Sequence, residues 1–132
     1  MCGFAEELEY IETLSENSLK AYGDPAEIKA FLLKAATASC DFYIEHTPTD
    51  GIPYWDTGAP NLHKLGDYLS RPADPYNDFE PVDSSAAAIG AQGLLRLGHY
   101  LKKNGDEKRK YILASRANRS QNFVGRTLPK HR

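Results

Sequence analysis

The chain reads as an all-α protein. Apolar residues recur at intervals of three and four through three long segments. Capping residues stand at the starts of two of them, and no segment alternates with a period of two. Short glycine- and aspartate-bearing turns join neighbouring helices, which predicts antiparallel helical hairpins around a long ordered loop at about residues 47–82.

The first helix is expected over residues 4–21, where Phe4, Leu8, Ile11 and Leu14 share a face and Gly23 closes the turn that follows. A second starts at Asp24, a capping residue, with Pro25 at the first helical position and Glu27 three residues after the cap. Its apolar face is Ile28, Phe31, Leu32, Ala35, Ala36, Ser39, Phe42 and Tyr43. Thr47-Pro48 ends it, because the residue before a proline is pushed out of the helical region. Asp83 caps a third helix that runs to about Lys103, with a small inner face of Ala87, Ala88, Ala91 and Gly98. Gly90 and Gly93 cost this helix roughly 1 kcal/mol each in propensity, which is tolerable where a neighbouring helix approaches closely. A fourth helix is expected from Glu107 to about Ala117.

The loop between the second and third helices is rich in proline and glycine, yet its aromatic residues argue for order. His63, Leu65, Tyr68 and Leu69 suggest a short helical turn within it. Tyr76, Phe79 and Val82 are expected to pin it to the body. Residues 1–114 thus form one domain, and 115–132 a basic, disordered tail.

At 132 residues with 41% hydrophobic and 26% charged side chains, the chain has the composition of an ordinary globular domain. The net charge of −2 argues against general affinity for nucleic acid or an anionic membrane. It conceals an asymmetry. Residues 1–101 hold 6 Lys and Arg against 16 Asp and Glu, while residues 102–132 hold 10 against 2. Cys2 and Cys40 offer neither metal spacing nor a disulfide framework, and Cys40 is expected to be a buried thiol. No apolar run reaches the roughly 20 residues of a membrane span, and the acidic start is unlike a signal peptide, so a cytoplasmic location is expected.

The loop acids are the sharpest chemical feature. Asp50, Asp56, Asp67, Asp74, Asp78, Glu80 and Asp83 are of the type that forms an acid/base pair for glycosidic cleavage, although any one of them is ordinarily a solvated loop acid. No Asp-x-Asp-x-Asp-Gly order points to calcium, and no metal site or cofactor is expected. Tyr54-Trp55-Asp56 carries the only tryptophan, in a Gly/Pro turn. It suits a stacking platform for a sugar face with a carboxylate to accept hydroxyl hydrogen bonds, and it equally suits ordinary packing over the helix ends. His46, His63 and His99 have no partner at metal or triad spacing, and Ser84 lacks a nucleophile-elbow setting.

A helix ending near Phe42-Tyr43, then Asp50-Gly51-Ile52-Pro53-Tyr54-Trp55-Asp56, then Asp83-Ser84-Ser85-Ala86-Ala87-Ala88-Ile89-Gly90-Ala91, resembles the unsaturated glucuronyl hydrolases of glycoside hydrolase family eighty-eight. The resemblance covers about residues 3–103. It implies part of an (α/α) barrel and an oligosaccharide partner ending in an unsaturated uronic acid, which that family removes by hydrating the double bond with an aspartate acid/base. The family's two key aspartates lie upstream of the region that matches. Met1-Cys2-Gly3-Phe4-Ala5 looks like the inside of a family helix, and the chain turns basic and aperiodic after about Ala114. The loop from Thr57 to Val82 is longer than the family pattern. The expectation is therefore a fragment, inactive alone, with no catalytic residue carried over. Tyr54, Trp55, Asp56, Asp83 and Ser84 are the candidates for lining or supporting a sugar pocket, and helix faces left uncovered, notably the Ala/Leu face of residues 87–101, are expected to promote self-association. The alternative is a small helical module that binds saccharide or protein by itself.

Overall fold

The structure, a computed structural model, describes residues 2–106 together with Tyr111, Ile112 and Ala114. Its helices are α1 (Cys2–Ile11), α2 (Glu16–Lys20), α3 (Pro25–Glu45) and α4 (Ser84–Lys103), with short 3₁₀ turns at Leu62–Leu65 and Tyr68–Ser70. Among the described residues there is no β-strand, only an isolated antiparallel bridge between Tyr54 and Val82. The all-α expectation holds, and the short turn foreseen around His63 to Leu69 is present as the two 3₁₀ segments.

The single helix expected over 4–21 is instead two. Thr13 turns both its backbone N–H and its hydroxyl onto the Tyr10 carbonyl, and Leu14 N–H bonds Ile11 O, so the ladder tightens and stops. Ser15 then accepts from Ser18 N–H and caps α2. Helix α3 begins where its signals place it, with Asp24 accepting from Ala26 N–H and Pro25 in the first turn. Helix α4 begins at the Asp83 cap, whose carboxylate accepts from Ala86 N–H.

The main core gathers Ala5, Leu8 and Ile11 of α1, Leu19 of α2, Ala36 and Cys40 of α3, Leu94, Leu97 and Leu101 of α4, and Tyr111. Helix α1 packs against both α3 and α4. Arg96 bonds Glu6 and Glu9, and Lys103 reaches Glu12 at 3.0 Å, so α1 and α4 lie side by side in the same sense. These solvent-screened ion pairs add little stability and act mainly on register. Tyr111 is fully buried and its hydroxyl donates to Asp41 Oδ1 at 2.9 Å.

Two expectations about apolar faces are corrected. The Ala/Leu face of residues 87–101 is covered, because α1 and α3 both pack onto it. On α3, Phe31 and Phe42 point outward at 66% and 51% exposure, while Leu32, Leu33, Ile44 and Cys40 turn inward. Of the face read from the sequence, Ile28, Leu32, Ala36 and Tyr43 do join the core, and the buried face is rotated from the expected one toward Leu33, Cys40 and Ile44. Of the fourth helix expected over 107–117, Tyr111, Ile112 and Ala114 are helical and the remainder lies outside the described residues, as does the tail 115–132.

Gly90 is small for a reason other than a helix backbone. A Cβ there would stand 2.6 Å from the ring of Tyr43, closer than carbon atoms approach without displacement. Gly90→Ala is expected to destabilise the fold by about 1–3 kcal/mol in urea unfolding. Gly3→Ala, where a Cβ meets nothing within 4 Å, is expected to leave the midpoint nearly unchanged.

Candidate functional site

The end of α3 sets the entry angle of the long loop. Thr47 Oγ1 donates to Tyr43 O at 2.6 Å, and the His46 ring and backbone N–H both engage Phe42 O before Pro48 closes the helix. Asp50, buried, accepts from Ile52 N–H, and Gly51 adopts φ +76°, a conformation that favours glycine. That turn aims the Gly51 carbonyl at Tyr43, whose hydroxyl donates to it at 3.1 Å.

Residues 53–55 then run antiparallel to residues 81–83. Asp83 N–H bonds Pro53 O at 2.8 Å, and Trp55 N–H bonds Pro81 O at 3.0 Å. The two motifs, far apart in sequence, are therefore adjacent in space. Tyr54 and Val82, facing each other across this pair, join a second apolar cluster with Ala59, Leu62, Leu65, Tyr68 and Ala73. The Tyr54 ring meets Tyr68 edge-on at 5.5 Å, and its hydroxyl accepts from Asp74 N–H.

Glu80, which the sequence shows only as one of seven loop acids of acid/base type, holds this loop together. Its side chain is buried at 4% exposure. One carboxylate oxygen accepts the Trp55 indole N–H at 2.6 Å, and the other accepts Asn61 N–H at 2.7 Å. Asn77 fixes the backbone beside it, donating to the Asp74 and Glu80 carbonyls and accepting from Phe79 and Glu80 N–H. With polar bonds holding that turn, Tyr76 and Phe79 are not needed as anchors. Both are exposed, contrary to expectation, and Phe79 lies under the ammonium of Lys64 instead. The indole hydrogen bond, followed by the bond from Asn61, holds the Glu80 carboxyl below its ordinary range.

The five candidate residues divide by position. Trp55 is half-exposed at 53%, with its ring fixed by Glu80. Asp56 is exposed and accepts from Gly58 N–H at 2.7 Å, and Ser84 is exposed at the first position of α4. Tyr54 is buried beneath them as support. Asp83 is engaged as the α4 cap, accepting from the Ser85 hydroxyl and Ala86 N–H, and those bonds in that order lower its proton affinity.

Beside this platform lies a groove of about 540 Å³ between α3 and the start of the loop. Phe42, Tyr43 and Pro53 form apolar walls, and Ser39, His46 and Thr57 supply polar atoms. The sequence reading missed it because His46, alone at its spacing, gave no signal. Among the described residues no group of three His, Cys, Asp or Glu is placed to hold a metal ion, and no helix is long and apolar enough to cross a membrane.

Glu80 binds its proton less readily in the folded chain than in the unfolded one. Its contribution is therefore complete above the ordinary carboxylate range near pH 4–5 and is lost as pH falls through its lowered native value. Trp55 emission is expected to stay constant from about pH 7 to about pH 5 and to shift to the red below about pH 4. Glu80→Gln is expected to give the red-shifted spectrum already at neutral pH. An unchanged acid transition in that variant would place its origin elsewhere.

No family model matches the chain, no curated protein matches it, and no solved structure matches it.

Proposed function

We propose that this chain is part of a carbohydrate-handling (α/α)-barrel protein of the unsaturated glucuronyl hydrolase type, its helices pairing as antiparallel hairpins and its long loop meeting an oligosaccharide. The observation that carries the reading is the joining of segments 53–55 and 81–83, which leaves the Trp55 ring half-exposed and clamped by Glu80, with exposed Asp56 next to it. A ring already immobilised loses little further freedom when a sugar stacks on it. The chain's own part is binding rather than bond cleavage. A general acid needs its proton affinity raised, and the hydrogen bonds at Glu80 and Asp83 lower theirs, so no catalytic residue is assigned. Self-association through apolar side chains left exposed on the helices, Phe31 of α3 and Ile89 of α4 among them, and a cytoplasmic location belong to the same proposal.

A second reading, an autonomous helical module that binds saccharide or protein, is favoured by the coverage of the apolar face of α4. The two readings part in a urea titration. Coincident loss of helix and of Trp55 emission marks an autonomous domain, and a shallow loss without cooperativity marks a fragment. Under either saccharide reading, oligosaccharide at millimolar concentration is expected to change Trp55 emission saturably without release of a cleaved product. Absence of any change would refute it, and product release would refute the assignment of binding alone.

A further inference from the structure

We infer that the groove between α3 and the loop is a subsite for an uncharged pyranose unit, recognised by an aromatic wall and a rim in which hydrogen-bond acceptors predominate. The inference rests on the saccharide reading and adds to it the class of sugar.

The wall comes first. Phe42 is 51% exposed, and its ring lies nearly parallel to the His46 imidazole, with centroids 4.0 Å apart and planes 21° apart. That stacking fixes one face of the phenyl ring against His46 and leaves the rest of the side chain open. A flat apolar surface of this kind complements the C–H face of a sugar ring. At about 540 Å³ the groove falls within the roughly 300–1,000 Å³ of small-molecule sites.

The rim decides the charge. Ser39 Oγ donates its proton to Ala35 O at 2.7 Å, and Thr47 Oγ1 donates its own to Tyr43 O at 2.6 Å. Both hydroxyls retain only lone pairs for a guest, while the Thr57 hydroxyl, also on the rim, can donate as well as accept. His46 Nδ1 lies 2.8 Å from Phe42 O. A carbonyl oxygen only accepts, so Nδ1 carries the proton and Nε2 of the uncharged ring is another acceptor. A sugar hydroxyl brings donors to such a rim, whereas a carboxylate brings acceptors alone. Among the described residues no lysine or arginine lines the groove. The loop that forms its far side carries six acids, Asp50, Asp56, Asp67, Asp74, Asp78 and Glu80, against two bases, Lys64 and Arg71. A uronate would lose its hydration there with no cation among the described lining residues to replace it.

Saturation-transfer NMR on the full chain near pH 8, with a methyl glucopyranoside and the matching methyl glucuronoside as probes, tests the inference. The neutral sugar is expected to bind about tenfold or more tightly than the uronate. Phe42→Ala, at an exposed position, is expected to weaken it about three- to tenfold, the scale of one aromatic contact. Phe31→Ala, an outward phenylalanine elsewhere on the same helix, is expected to have no effect. Equal or tighter binding of the glucuronoside would overturn the inference and leave the saccharide reading standing. So would binding that Trp55→Ala abolishes and Phe42→Ala does not touch. Failure of both sugars to bind would overturn the inference as well, whereas the saccharide reading itself is refuted by oligosaccharide that leaves Trp55 emission unchanged.

Discussion

One buried carboxylate organises the part of this molecule that is not helix. The side chain of Glu80 reaches across 25 positions to the Trp55 indole and across 19 to the Asn61 amide. Without it the Trp55 indole N–H and the Asn61 amide would lose their acceptor, and the loop its cross-link. A charged acceptor takes both donors at short distance, and neutral donors satisfy it without a cationic partner. This arrangement leaves the acidic character of the loop intact. It also turns the one tryptophan into a fixed surface feature rather than a core residue.

The helical frame was legible in the sequence wherever a local signal existed. Asp24-Pro25 and Asp83 mark helix starts because capping depends on residues within one turn, and Thr47-Pro48 marks an end for an equally local reason. The break after Ile11 escaped notice because Thr13 and Ser15 act through side-chain hydrogen bonds that hydrophobic periodicity does not register. The buried face of α3 was legible in Ile28, Leu32, Ala36 and Tyr43 but not at its edge, because Phe31 and Phe42 make this helix apolar on two sides. Periodicity cannot tell which of the two meets the rest of the core.

The site was legible in outline only. The motifs around Trp55 and Asp83 were visible, but their pairing depends on backbone bonds across some 28 positions, and no short pattern encodes those. Glu80 and Asn77 were invisible for the same reason: their roles come from what the folded loop brings to them. The groove illustrates the point from another side. Its polar atoms belong to the last turns of α3, and hydrogen bonds back to helix carbonyls settle which are donors and which are acceptors.

The loop has its own apolar cluster, separate from the one between the helices. Two separate cores, linked by contacts that include the Tyr43–Gly51 bond, need not open together. The smaller one can detach while α1, α3 and α4 stay packed, as a cooperative unit of lower stability. Amide hydrogens of Trp55, Asn61 and Asp83 would then exchange with solvent through sub-global opening, sooner than those at the centre of α3. A ligand held between the helices and the loop would slow that exchange by bridging the two units, a coupling that needs no change in shape.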